Sequence, residues 1–249
     1  MWASRLYEAV DGRALAQANL VKAQNDWVGD GTSLITGRNF IICIKTRINA
    51  LPARSRTSRG RPNYERNCRA GCSARETPNH IVQQCFRTHA ARVKRHNKIT
   101  SYVQRSLEQR GFAVTSEPIY RLSSGVLKPD LVASKDKISY IIDAQIVGDN
   151  VDLQEAHKNK RNKYSTRALL DTVKSLTDAS QVHTTSITIN WRGIWSQDSA
   201  EELLRFGFIG RRDIKILAVR VLEETFCGFV RFNTMTVASA AVGRRTGVG

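Results

Sequence analysis

Lys128-Pro129-Asp130-Leu131-Val132-Ala133-Ser134-Lys135-Asp136-Lys137-Ile138-Ser139-Tyr140-Ile141-Ile142-Asp143 places Asp130 and Asp143 at the ends of two short apolar runs. Leu131 to Ala133 and Ile138 to Val147 are dominated by β-branched and apolar residues, which predicts strands. Ser134-Lys135-Asp136-Lys137 between them is a polar break of hairpin length. Side chains alternate across a strand, so two adjacent strands can bring Asp130 and Asp143 side by side. Two carboxylates held that close repel unless a cation sits between them. Magnesium or manganese suits the place, because a hard divalent ion takes oxygen ligands and keeps waters and substrate phosphates in its shell. The pair therefore outlines a metal site for phosphodiester hydrolysis. The bland alternative is that Pro129-Asp130 is turn chemistry and Asp143 a paired structural residue.

Working outward, 249 residues with 41% hydrophobic side chains suffice to bury a core in one or two compact units. A formal net charge of +17 disfavours a small neutral substrate and favours a polyanion, nucleic acid ahead of an anionic membrane. No apolar run approaches transmembrane length and the N-terminus lacks a secretory layout, so no membrane partner is expected. Of five cysteines, three are clustered with a histidine, which points to metal binding in a reducing compartment rather than disulfides.

Residues 1–52 form a helical linker segment. Leu6, Val10, Leu15, Ala18, Leu20 and Val21 give a loose helical pattern, Thr32 or Ser33 is placed to cap a second helix through Phe40 to Leu51, and Cys43 reads as core. Residues 53–66 are an arginine-rich linker, expected to be extended. Arg54, Arg56, Arg59, Arg61 and Arg66 are set to grip phosphates of DNA or RNA, or simply to face water. In residues 67–97, Cys68, Cys72, His80 and Cys85 make a C-x3-C-x7-H-x4-C pattern. Three thiolates and an imidazole suit tetrahedral zinc with every ligand from protein, a structural site. Gly71 relieves the first turn, and His89 and His96 are close enough to be alternative ligands, although Arg92, Lys94 and Arg95 around them suggest a phosphate-facing helix surface.

Residues 98–240 form the largest unit, beginning inside a helix whose apolar stripe reads Val93, His96, Thr100, Val103 and Leu107 and which ends at Gly111. Phe112 to Tyr120 reads as a strand. Asp149 or Asp152 is set to cap one long helix from about Val151 to Leu176, on which Ala156, Lys160, Lys163 and Tyr164 share a face. Two lysines and a tyrosine beside an acidic pair can orient a water and stabilise charge on phosphorus. Val182 to Trp191 is a further strand, Trp191-Arg192-Gly193-Ile194-Trp195 packs or stacks on bases, Ser199 caps a helix to Phe206, and Ile214 to Phe226 is another helix. His183 and Cys227 read as structural. The stretch after Met235 is expected to fray, with 241–249 a flexible tail.

Together these residues resemble a known family. Ile48-Asn49-Ala50-Leu51-Pro52, the arginine stretch, the Cys-Cys-His-Cys set with Thr88-His89 and Arg95-His96-Asn97, Lys128-Pro129-Asp130, Asp143 and the Lys160/Lys163-Tyr164 helix look like the C-terminal region of a site-specific non-LTR retrotransposon protein. The class is the one that inserts into large-subunit ribosomal RNA genes. The resemblance implies a PD-(D/E)xK restriction-like endonuclease core of mixed α/β type, preceded by a helical linker and a zinc knuckle. It implies nicking of double-stranded target DNA to prime reverse transcription, with element RNA and the rest of the reverse transcriptase polypeptide as partners, in the nucleus (nucleolus). Asp130 and Asp143 match the family's metal-binding acids. The usual lysine two residues after the second acid is Gln145 here, so Lys160 and Lys163 inherit its role, with Tyr164 beside them. Arg47 to Pro52 resembles a motif that contacts nucleic acid, with arginine in place of histidine. No paired aspartates of a polymerase palm occur, so a fragment of a longer protein is expected. The alternative is a non-catalytic, zinc-stabilised nucleic-acid-binding module, or a regulator that keeps the fold without the catalysis.

Overall fold

The computed structural model describes residues 2–9, 11–31 and 33–245. It opens with α1 (Trp2–Glu8), two 3-10 turns (Arg13–Asn19 and Lys22–Asn25), α2 (Asp26–Gly29), α3 (Gly37–Arg47) and α4 (Arg54–Thr57). A π-helical turn (His80–Gln84) and a 3-10 turn (Phe86–Thr88) lead into α5 (His89–Gln109). Then come β1 (Ala113–Ser116), β2 (Tyr120–Leu122), β3 (Gly125–Leu127), β4 (Leu131–Lys135), β5 (Ile138–Val147), α6 (Leu153–Tyr164), α7 (Arg167–Thr177), β6 (Gln181–Asn190), α8 (Gln197–Arg205) and α9 (Arg211–Arg245).

The expected hairpin forms, with Asp136 and Lys137 both at positive φ (52° and 63°), the conformation of a two-residue turn whose twist matches its strands. It is the centre of a four-stranded sheet in the order β1-β4-β5-β6, antiparallel except for the parallel β5–β6 pair that α6 and α7 bridge. The period-2 alternation sorts the strands onto two faces. Leu131, Ala133, Ile142, Ala144, Ile187 and Ile189 pack with Ile99, Val103 and Leu107 of α5, Leu203 of α8 and Leu217 and Val221 of α9. Val132 and Ile141 on the other face meet Tyr164 of α6 and Leu169 and Val173 of α7. The result is a mixed α/β core, helix on both sides of a sheet. Helix α9 also carries the segments that precede the core: Trp27 and Cys43 pack on Val219 and Leu222, while Leu51, Ile81, Val82 and Cys85 pack on Phe229 and Phe232.

Several expectations are corrected. The long helix is two, broken where Ser165 bonds Arg161 O and Thr184 Oγ1 and Thr166 takes the extended backbone that precedes α7; Asp152, not Asp149, caps α6. Phe112 to Tyr120 is not one strand but β1 and the start of β2, a separate ribbon paired with β3. On α5 the buried positions are Arg95, Ile99, Val103, Ser106 and Leu107, whereas Val93 is exposed. Thr36 caps α3 in place of Ser33, which bonds Asp30 instead; Thr32 and Val10 lie outside the described residues. Ser196 caps α8, and Ser199 donates to Ser186 O. The helix expected over Ile214 to Phe226 runs from Arg211 to Arg245, and residues 246–249 of the expected tail lie outside the described residues. Trp191 and Trp195 are fully buried, so that stretch packs. No helix among the described residues is long and apolar enough to cross a membrane.

Candidate metal and nuclease site

The thiols of Cys68, Cys72 and Cys85 and the ring of His80 converge, with one ligand atom of each within 4.8 Å of all the others. The Sγ–Sγ separations of 3.9 Å (Cys68–Cys85) and 3.7 Å (Cys72–Cys85) suit zinc, since Zn–S bonds of about 2.3 Å give a tetrahedral edge of about 3.8 Å. Both ring nitrogens of His80 are buried without a hydrogen bond of ordinary geometry, and a metal would take one of them. Burial holds the His80 ring below its ordinary value, in the neutral form that binds metal. Burial, reinforced by the neighbouring thiols, pushes Cys85 up to about 12, so metal uptake must displace its proton. Gly71 has φ +85° as the first turn requires, and the turn before Cys85 is the π-helix. His89 and His96 are not in the cluster.

The frame of the cluster is Glu76, whose carboxylate accepts from Arg54 N and Arg69 N (3.1 and 3.0 Å) and from the Arg69 guanidinium (2.9 Å). Arg69 continues to Asn233 Oδ1 at 2.7 Å and lies over the Phe232 ring, which fastens the cluster to α9.

At the start of β4, extending the register one step beyond the Leu131–Ile142 pair sets Asp130 opposite Asp143. Asp143 is buried and ion-paired with Lys160 of α6. Asp130 Oδ2 accepts from Ala144 N at 2.6 Å and faces His96 Nε2 at 3.1 Å. Tyr164 stands between α6 and this corner, its hydroxyl donating to Lys128 O at 3.1 Å. Burial first, then the fields of Asp143 and Asp130, raise its phenol well above the usual range, so it stays neutral. Lys163 lies over the Tyr164 ring at 4.8 Å and reaches its hydroxyl at 3.2 Å. All five residues read from the sequence thus meet at one place, and of the two lysines only Lys160 touches an acid.

Gln145 does something else. Its Nε2 donates to Ala156 O (2.8 Å) and Thr188 Oγ1 (2.9 Å), tying β5 to α6 and β6. A lysine there could not leave both acceptors satisfied and still reach the acids, and Lys160 arrives from the helix that Gln145 holds. Beside the acids opens a cleft of about 730 Å³, lined among others by Gln83, Arg92, His96, Glu117 and Lys160. Its wall holds the partners of the acids, His96, Ala144 and Lys160, rather than the acids themselves or the zinc-cluster residues.

The residues expected to contact nucleic acid divide. Arg61, Arg66 and Lys94 are exposed. Arg56 and Arg59 pair with Asp11 (2.9 and 3.1 Å) and Arg54 bonds Asn67 O, so the arginine stretch is folded back rather than extended. Arg92 donates to Cys85 O at 2.7 Å. Arg47 and Arg95 are corrections: both are buried, Arg47 bonding Arg192 O and Asn25, Arg95 bonding Thr225 Oγ1 and Val82 O. Burial brings each guanidinium down to about 9, and each is bonded to oxygens inside the protein. The sequence reading missed His96 as an acid partner, Glu117 at the cleft with φ +51°, and buried His157, which links Ser186 and Glu202 across α6, β6 and α8.

No family model matches the chain. Among curated proteins it is 41% identical, over 93% of its length, to the Retrovirus-related Pol polyprotein from type-2 retrotransposable element R2DM of Drosophila melanogaster. It is 38% identical over 98% of its length to the Pol polyprotein from type-1 retrotransposable element R2 of Nasonia vitripennis, and 31% over 94% to that of Bradysia coprophila. The chain matches a C-terminal fragment of an R2-type element. It spans 22%, 24% and 27% of the length of those three relatives. The R2-type chain is therefore comparable to a part of larger polyproteins, which agrees with its lack of paired polymerase aspartates.

Proposed function

We propose that this R2-type chain is a metal-dependent DNA endonuclease of the restriction-like PD-(D/E)xK kind. It nicks a large-subunit ribosomal RNA gene, and the freed 3′-hydroxyl primes reverse transcription of the element RNA. One arrangement carries the reading: Asp130 opposite Asp143 at the end of a hairpin, with Lys160 on Asp143 and Tyr164 beside both. The facing carboxylates fit magnesium or manganese, which when bound supplies polarisation of the scissile phosphate and a more acidic water. Lys160 orients the attacking water and offsets the charge that develops on the phosphoryl oxygens. Tyr164, neutral and anchored on Lys128 O, holds the Lys128-Pro129-Asp130 segment in place, and Lys163 adds positive charge over its ring. Zinc stays structural, since the protein supplies all four ligands. Arg61, Arg66 and Lys94 bind the duplex by its phosphates. In this reading residues 98–240 are the nuclease and 67–97 the knuckle, with α5 shared by both. Element RNA and the remainder of the polyprotein are its partners, and the nucleolus, where ribosomal genes lie, is its place.

The test is a pair of supercoiled plasmids, one carrying a large-subunit ribosomal RNA gene segment, incubated with magnesium. Nicking at one position of that segment, with an end that a polymerase extends, is expected. Equal, scattered nicking of both plasmids would remove the target assignment, and intact plasmids at saturating protein would remove the nuclease.

A further inference from the structure

Helix α5 leaves the zinc cluster and reaches the acidic corner two turns later, where His96 stands. Its Nε2 lies 3.1 Å from Asp130 Oδ2 and 3.2 Å from Ala144 O. Both are acceptors, so Nε2 carries the proton and donates to them. Ala144 N donates to the same Asp130 oxygen at 2.6 Å. Two donors on Oδ2 fix the carboxyl torsion and make Oδ1 the oxygen available to a cation. Because Ala144 follows Asp143 in β5, His96 touches the carboxylate of one acid and the backbone next to the other.

The helix beneath His96 cannot drift. Arg95 is buried and bonded to Thr225 Oγ1 at 2.7 Å and to Val82 O at 3.4 Å, and Ile99, one turn on, is fully buried. The ring itself is only partly covered, with 29% of its side chain exposed at the wall of the cleft. A histidine that served only packing would be turned inward with Arg95 and Ile99.

We infer that His96 is a positioning residue, which sets the Asp130 carboxylate for the divalent cation without binding the cation itself. The inference rests on the reading of Asp130 and Asp143 as the metal-holding acids. Groups of this kind, hydrogen-bonded to a metal ligand, change metal affinity by about 10- to 100-fold.

The experiment titrates the zinc-loaded 249-residue chain with manganese, without DNA, and follows free Mn²⁺ by electron paramagnetic resonance. His96→Ala is expected to weaken manganese binding by about tenfold or more, with zinc content and DNA affinity as in the parent. His96→Gln, whose amide can reach the Nε2 position, regains part of the loss. His96→Asn, whose amide stops at the Nδ1 position, does not, and it stands in for alanine if that variant fails to fold. Parental manganese affinity in His96→Ala or His96→Asn, or a glutamine variant no better than asparagine, overturns the inference. Asp130→Asn separates the two levels: if it binds manganese like the parent, the acidic site itself is misread, whatever His96 does.

Discussion

Lys160 and Lys163 sit on the same helix three residues apart, yet only Lys160 meets Asp143, while Lys163 rests on the Tyr164 ring. Lys160→Ala is therefore expected to lower the single-turnover nicking rate by about 10²- to 10³-fold, the range seen when one preorganised stabilising group is removed. Lys163→Ala should lower it far less. Equal effects would mean that the ion pair is not carried into the complex with DNA. Tyr164→Phe removes one hydrogen bond to Lys128 O and is expected to lower stability by about 1 kcal/mol in urea denaturation. The acids and both lysines were legible in the sequence because strand alternation and helical spacing are periodic. Their partner His96 was not, since one histidine on a basic helix gives no sign of which turn faces the sheet.

The elements around the site are held by polar cross-links between segments far apart in sequence. Glu76 joins Arg54 and Arg69 with its side chain fully buried. Glu76→Ala leaves Arg69 half-paired and should cost about 3–5 kcal/mol, read as a drop in Tm. Burial alone would raise the Glu76 pKa, but the bonds from Arg69 and Arg54 outweigh it and bring the carboxyl below its usual value. Its contribution is thus complete above the unfolded value of about 4.3 and is lost as pH falls through the lower folded value. The acid limb of a stability profile should flatten in Glu76→Gln. At the element scale the sequence showed β4, β5, β6 and the zinc turn clearly. It hid the Ser165-Thr166 break, which has no glycine or proline to mark it, and the burial of Arg47, whose acceptor Arg192 O is 145 residues away. An arginine reads as exposed until such a partner is known.

For the whole molecule, α9 joins three cores, so the helical linker, the zinc cluster and the sheet are one structure rather than beads on a chain. The sequence suggested separate units because composition changes sharply at the arginine stretch, and Asp11, which folds that stretch back, carries no motif. The excess positive charge predicts salt-sensitive binding, with log affinity falling by about 0.9 per phosphate contact for each unit of log salt. Arg61→Ala with Arg66→Ala should reduce that slope by about two contacts in fluorescence anisotropy, whereas Arg47→Ala and Arg95→Ala should act on stability. The measurement that bears most directly on the central claim is magnesium-dependent nicking of supercoiled ribosomal DNA by the parent chain and by Asp143→Ala, at protein concentrations that bind the plasmid equally. Nicking by the parent and none by the variant is the expected result. Equal nicking by both would contradict the assignment of Asp143, and with it the acidic corner as the place of cleavage.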